Sequence, residues 1–246
     1  MKNFCLIVQY DGTDYAGFQV QPGQATIQGE LERAISTLAA EEIRITAAGR
    51  TDAGVHAEGQ TVNFRTDKLT VPVERLPYAI NALLPQDIRV VNSRLVPLDF
   101  HARYDALEKT YRYHVYEGEF PNVFWQRFAY WSKELLDWER IVRCGQLLVG
   151  RHDFSAFAAS GSSVKTTVRT MKAVQVESCG PLTMVRFTAD GFLYKMVRNI
   201  MGTLLEVGLG RLSLADVEDI LASGDRTQAG ATISPAGLFL ERVKYS

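Results

Sequence analysis

Cysteine is scarce in this chain. Three occur among 246 residues, Cys5, Cys144 and Cys179, far apart and odd in number. None belongs to a CxxC pair, which argues against a disulfide framework and a cysteine-based zinc site, and for a reducing compartment. Histidine is hardly more common, and His56, His101, His114 and His152 show no spacing that argues for a metal. An excess of one charge is also missing: 27 Lys and Arg face 28 Asp and Glu. A basic tail protein of the histone type is therefore excluded, although a local basic groove is not. The chain lacks the run of about 18 apolar residues that a transmembrane helix needs. Its N-terminal apolar run, in MKNFCLIVQYDG, is short and broken by polar residues, so it does not read as a signal peptide, and the expected address is the cytoplasm. There is no GxxxxGK[ST], HExxH or GxSxG, and Gly208-Leu209-Gly210 is a bare GxG at a helix end. Nucleotide-loop, zincin and serine-hydrolase chemistry lose their usual sequence marks. What is present is ordinary globular material: 46% hydrophobic and 22% charged residues, enough for one large domain or two small ones.

The patterning suggests alternating strands and helices. Asn3 to Tyr10 reads as a strand entering an Asp11-Gly12 turn. Thr26 suits a helix N-cap, and Ile27, Leu31, Ala34, Ile35 and Leu38 follow at helical spacing. Further strands are expected at Arg44 to Ala48, Gln60 to Phe64, Ile88 to Val96, Lys109 to Tyr116, Met171 to Glu177, Thr183 to Ala189 and Leu238 to Tyr245. Helices are expected from Pro72 to Leu84, Trp138 to Leu148, Phe192 to Val207 and Leu214 to Ala222. Several strands follow one another directly, without the crossover a parallel pair requires, so the fold class is α+β with mixed or antiparallel sheets. The halves on either side of Asp105 have similar element order, without a visible sequence repeat.

Three stretches carry chemistry. The loop from Ala48 to Ala57 (AGRTDAGVHA) places an arginine, a carboxylate and an imidazole around two glycines, which permit unusual dihedrals and close approach of a ligand. An Asx-type turn, with Asp52 bonding its own backbone, is the plainer alternative. On the strand KTYRYHVY, Tyr111, Tyr113 and Val115 share one face, and Thr110, Arg112, His114 and Tyr116 the other. That interleaving suits base stacking and phosphate contact, or else simply a half-buried strand. In GFLYKMVRNIMG, Arg198 falls in an apolar helix, where it either pairs with a carboxylate or snorkels to the surface. Together these features point to an enzyme of an anionic polymer that uses a carboxylate, and they name no reaction.

The chain resembles the TruA family of tRNA pseudouridine synthases from end to end. The likeness is carried by YDGTDYAGFQ (Tyr10 to Gln19), GRTDAGVHA (Gly49 to Ala57), NALLPQDI (Asn81 to Ile88) and FHARYDALEKTYRY (Phe100 to Tyr113). It continues through GRHDFSAF (Gly150 to Phe157), GFLYKMVRNIMG (Gly191 to Gly202) and GLFLERVKY (Gly237 to Tyr245). One departure is visible: the family usually has Ala-Pro before the last Gly-Leu, whereas this chain reads Ser234-Pro235-Ala236-Gly237-Leu238.

The resemblance implies a pseudouridine-synthase fold: two similar α/β halves with a central catalytic cleft, divided into 1–104, which carries the aspartate loop, and 105–246, which carries the tyrosine strand and the arginine helix. It implies isomerisation of uridine to pseudouridine at positions 38, 39 and 40 of the tRNA anticodon stem-loop, with no cofactor and no metal. It casts Asp52 as the catalytic carboxylate, either attacking the sugar carbon or taking a proton to give a glycal, and Arg198 as its ion-pair partner. Tyr111 would stack on the uracil, Arg50 would fill the gap left by the flipped base, and Leu238 would wall the base pocket. A homodimer is implied, with each tRNA touching both subunits. Arg103, Lys109, Arg112, Lys165, Arg169 and Lys195 are, with Arg50 and Arg198, the candidate cations for the RNA backbone. The Ser/Gly-rich segment Ala158 to Thr167 reads as a loop that closes over RNA or as a plain exposed loop. Two other classes compete: a non-catalytic RNA-binding module, and a hydrolase pairing Asp52 with Asp11 or Asp14, which needs two acids about 5–10 Å apart.

Overall fold

The computed structural model describes residues 1–161 and 164–246. Two positions of the 158–167 segment, residues 162 and 163, lie outside the described residues. The chain forms two compact units: Met1–Leu107 with Phe239–Ser246, and Glu108–Leu238.

In the first unit, β1 (Lys2–Tyr10) lies between β3 (His56–Thr66) and β4 (Ile88–Val96), antiparallel to both, and the short β2 (Thr46–Ala47) pairs with β3. Helix α1 (Ile27–Ala39) begins where expected, because Thr26 accepts a hydrogen bond from the Gly29 amide. Ile27, Leu31, Ala34 and Ile35 make one buried stripe, each large side chain contributing about 1.5–3 kcal/mol. The core beneath includes Phe4 stacked on Phe64 at 5.3 Å, with Leu6, Val8, Leu76, Ile80 and Ile88. The single helix expected from Pro72 to Leu84 is instead a 3-10 turn, Val73–Arg75, followed by α2 (Leu76–Asn81). Pro77 sits in the first turn of α2, where its missing N–H costs nothing. Asn81 then turns its side chain to the backbone of Val90, donating to the carbonyl at 2.9 Å and accepting from the amide at 2.8 Å.

The closing strand β10 (Leu238–Lys244) pairs in parallel with β3, Phe239 against His56 and Leu240 against Ala57. Burial of Phe239 and Leu240 there draws the last residues into the first unit, so the second unit ends before the 246 boundary expected from sequence. Tyr245 reinforces this by donating to the Ala102 carbonyl at 2.7 Å.

In the second unit the strand order is β5 (Glu108–Glu117), β9 (Leu182–Ala189), β8 (Val168–Cys179) and β7 (Gly150–Asp153), antiparallel throughout, with β6 (Tyr130–Ser132) parallel to β5. Helices α3 (Trp138–Leu147), α4 (Met196–Gly208) and α5 (Leu214–Ser223) complete it. The Asp137 side chain caps α3 and Ser213 with Asp216 forms a capping box on α5. Helix α4 starts four residues later than the apolar pattern suggests, because Lys195 adopts a left-handed backbone, φ 57°, at its N-cap. Phe192 therefore precedes the helix and does not share its face with Met196. Gly202 is required inside α4: a Cβ there would stand 2.0 Å from the Ala231 carbonyl oxygen. Among the described residues no helix is long and apolar enough to cross a membrane. The architecture is thus a mixed α/β fold, with ten strands among the described residues, the α+β class expected from sequence.

Candidate active site: a pinned carboxylate loop and an aromatic strand

The Asp52 loop connects β2 to β3 and is irregular backbone, so its shape must be imposed from outside. Its entrance is fixed by the Ala48 amide on the Thr61 carbonyl at 2.8 Å, and its turn by the Val55 amide on the Asp52 carbonyl at 3.1 Å. Gly54 sits at φ 75°, a conformation that side chains resist. The loop rests against the Tyr10-to-Gln19 segment. The Phe18 amide donates to the Thr51 carbonyl at 3.0 Å, and the Gly12 amide donates to His56 Nδ1 at 3.1 Å. Two glycines make this approach possible. A Cβ on Gly12 would stand 2.0 Å from the Val55 carbonyl oxygen, and one on Gly17, which is at φ 101°, would stand 2.9 Å from the Thr51 carbonyl oxygen. Motifs that look separate in sequence, YDGTDYAG and GRTDAGVH, are two sides of one packed object.

The ends of this loop differ in burial. Thr51, Val55 and His56 are buried, Asp52 is half-buried, and Arg50 is exposed. His56 stacks on Phe239 with ring centres 4.7 Å apart, and Asp11 Oδ1 lies 3.2 Å from the same His56 nitrogen that accepts the Gly12 amide. The same Asp11 oxygen also accepts from the Thr13 amide at 3.0 Å and the Thr13 hydroxyl at 2.6 Å, so Asp11 is committed to shaping its own turn.

The second group of expected residues lies in the other unit. Tyr111 is on β5, in register with Phe187 of β9, and only 8% exposed. Its ring meets Phe192 edge to face at 5.0 Å. Tyr113, two residues on, is fully buried and donates to the Ser234 carbonyl at 2.7 Å. Burial pushes its phenol pKa upward, while the charge of Arg198 pulls the other way. Arg198 is half-buried near the start of α4, and its Nε donates to the Ile233 carbonyl at 2.8 Å. Leu238 is buried and follows the 3-10 turn Pro235–Gly237. In that turn Pro235 occupies a first-turn position, and the Ser234 hydroxyl accepts from the Ala236 amide at 3.2 Å. A Cβ on Gly237 would stand 2.6 Å from the His114 carbonyl oxygen. The shifted proline of this chain is thus accommodated as a helix-start residue.

Arg50 and Asp52 therefore share one loop, while Tyr111, Arg198 and Leu238 belong to the second unit. Of the candidate backbone cations, Arg103 and Lys165 are exposed, and Lys109, Arg112, Arg169 and Lys195 are half-buried. Arg103 lies over the Tyr104 ring at 5.8 Å and Lys195 over the Tyr194 ring at 5.2 Å. Arg169 Nη1 donates to the Thr166 and Val168 carbonyls. Reading the sequence alone did not pick out Phe192 as the neighbour of Tyr111, nor Gly12, Gly17, Tyr10 and Gln60 as the supports of the Asp52 loop. Apart from Gln60, these residues had one signal in the sequence, their presence in the family-like motifs.

Comparison with known proteins places the chain. The family described as tRNA pseudouridine synthase matches residues 6–105 and again residues 145–246. Two matches to one description give the two similar halves that element order suggested. A curated protein named tRNA pseudouridine synthase A from Acetivibrio thermocellus is 44% identical over 245 residues, covering all of both chains. Its namesake from Bacillus licheniformis is 46% identical over 247 residues, covering 100% of this chain and 99% of that one. The one from Moorella thermoacetica is 45% identical over 242 residues, covering 98% of each. The chain belongs to the tRNA pseudouridine synthase family. It is an enzyme, of the isomerase class.

Proposed function

We propose that this chain converts uridine to pseudouridine in tRNA, at positions 38, 39 and 40 of the anticodon stem-loop. The N1–C1′ bond breaks, the uracil turns, and C5 bonds to C1′. The proton leaving C5 is balanced by one gained at N1, so no atoms are added or lost and the reaction calls for no cofactor. The observation that carries the reading is the Asp52 carboxylate, half-buried on a loop pinned by close backbone approach. An essential carboxylate needs that rigidity, since misplacement of about 1 Å costs roughly a hundredfold in rate.

Asp52 acts either by attacking C1′ or by taking a sugar proton to give a glycal, and both routes need it ionised. Arg198, a permanent cation, is its ion-pair partner. Tyr111 stacks on the uracil, with Phe192 holding the ring edge-on, and its hydroxyl assists removal of the C5 proton. Arg50 fills the stack when the base flips out, a step costing a few kcal/mol. Leu238 forms the facing wall of the base pocket. Arg103, Lys109, Arg112, Lys165, Arg169 and Lys195 contact the RNA backbone, and the enzyme works in the cytoplasm as a homodimer with each tRNA spanning both subunits.

The test is positional. Unmodified tRNA transcripts with uridine at 38, 39 or 40 are incubated with the enzyme, and pseudouridine is mapped by carbodiimide-dependent primer-extension stops. Stops confined to those three positions are expected. Stops elsewhere would refute the site assignment, and tight tRNA binding without any stop would favour a binding module.

A further inference from the structure

The hydroxyl of Tyr10 is the buried end of a clamp on the Asp52 loop. It lies 2.8 Å from Thr51 Oγ1, and Thr51 immediately precedes Asp52. Gln60 Nε2 reaches the Tyr10 oxygen at 3.4 Å and the Gly49 carbonyl at 2.8 Å. One phenol and one amide thereby grip the loop on both sides of Arg50. Tyr10 is 4% exposed, Gln60 0% and Thr51 6%, and the two gripping residues stand on β1 and β3. Gln60 donates to the phenol oxygen, and the Tyr10 and Thr51 hydroxyls share one hydrogen bond in which either can be the donor. Burial pushes the Tyr10 pKa up to about 12, and the phenol keeps its proton at neutral pH.

Phenylalanine would pack here as well. The ring lies against Phe18, 6.3 Å between centres, and burying a hydroxyl is unfavourable unless it is bonded. The hydroxyl earns its place only through what it holds. We propose that Tyr10 is a positioning residue for turnover, acting through Thr51 to fix the backbone from which the Asp52 carboxylate projects. The inference rests on Asp52 being the catalytic carboxylate.

Single-turnover rates and tRNA dissociation constants test it in Tyr10→Phe, Thr51→Val and Thr51→Ser beside Asp52→Asn. Tyr10→Phe and Thr51→Val are each expected to slow turnover roughly tenfold to a hundredfold with tRNA affinity held within about twofold. Thr51→Ser keeps the hydroxyl and recovers most of the rate. The double variant Tyr10→Phe/Thr51→Val is no slower than the slower single one, because both remove the same contact. Wild-type turnover in Tyr10→Phe beside an inactive Asp52→Asn would overturn the clamp alone. A loss that follows tRNA affinity, or that Thr51→Ser fails to recover, would also overturn it. Should Asp52→Asn itself turn over normally, the premise falls and the clamp falls with it. If Tyr10→Phe does not fold, the Thr51→Val and Thr51→Ser pair decides the matter.

Discussion

The Asp52 loop and the Tyr111 strand present their side chains by opposite means. Tyr111 sits in a regular antiparallel ladder, opposite Phe187 and between residues that are themselves paired with β9. Its position follows from regular strand pairing and from the Phe192 contact. Asp52 has no ladder. Its loop is held by the Gly12 and Gly17 backbone, by the Phe18 amide, and by side chains of Tyr10 on β1 and Gln60 on β3. The lesson is that a carboxylate delivered by irregular backbone spreads its requirements over the unit that carries it. An aromatic ring delivered by a strand is placed by the repeating ladder and one ring contact, even though Phe187 and Phe192 are distant in sequence.

The largest expected effect attacks the loop from outside. Gly12→Ala forces a carbon against the Val55 carbonyl, so it should lose roughly 3 kcal/mol or more of stability and nearly all turnover, as read by denaturant melts and pseudouridine assays. Tolerance of alanine at Gly12 would show that the loop is not set by that contact.

Next is alkaline stability. Tyr10 is raised from 10 to about 12 by burial, so above pH 10 the unfolded chain releases this proton while the folded chain keeps it. Stability falls as pH rises through that window, by roughly 1.4 kcal/mol per pH unit from this residue. Burial raises Tyr113 in the second unit too, so both units should weaken above pH 10. Tyr10→Phe should flatten the fall by one tyrosine's share in pH-dependent melts. An unchanged slope would contradict the burial of the phenol.

A smaller effect is expected on the strand. Tyr111→Phe preserves stacking and the Phe192 contact, so tRNA affinity should hold while single-turnover product formation slows about tenfold. Unchanged rates would remove the hydroxyl from proton transfer. The smallest effects compare the helix caps. Thr26→Ala on α1 and Ser213→Ala on α5 should each cost about 1 kcal/mol in thermal melts, and only Thr26→Ala should also slow turnover slightly, since the Ile27 and Gln28 amides at the start of α1 donate to the Gly17 and Phe18 carbonyls beside the Asp52 loop.

Regular elements were the legible part of the sequence. α1 could be read from Thr26 and its apolar spacing, and β1, β4, β5 and β9 from their β-forming runs, because in each the local pattern and the tertiary burial agree. Illegible stretches are those decided by distant contacts. The strand expected from Arg44 to Ala48 shrinks to Thr46–Ala47, and β3 extends back to His56, which pairs with the closing strand, while Ala57 pairs with both Tyr10 and the closing strand. The start of α4 was hidden because nothing in its apolar pattern marks the left-handed Lys195. Asp52, Tyr111 and Arg198 stood out as chemistry in sequence. That two glycines near position 15 hold the loop forty residues later required the folded structure.

On the proposed function, Asp52 drives isomerisation. The most direct measurement is tritium release, in single turnover, from tRNA carrying 5-tritiated uridine, with wild type beside folded, tRNA-binding Asp52→Asn. Formation of the C5–C1′ bond must expel the C5 hydrogen. Wild type should release tritium and Asp52→Asn should be slower by roughly four orders of magnitude or more. Equal release from the two proteins would contradict the account.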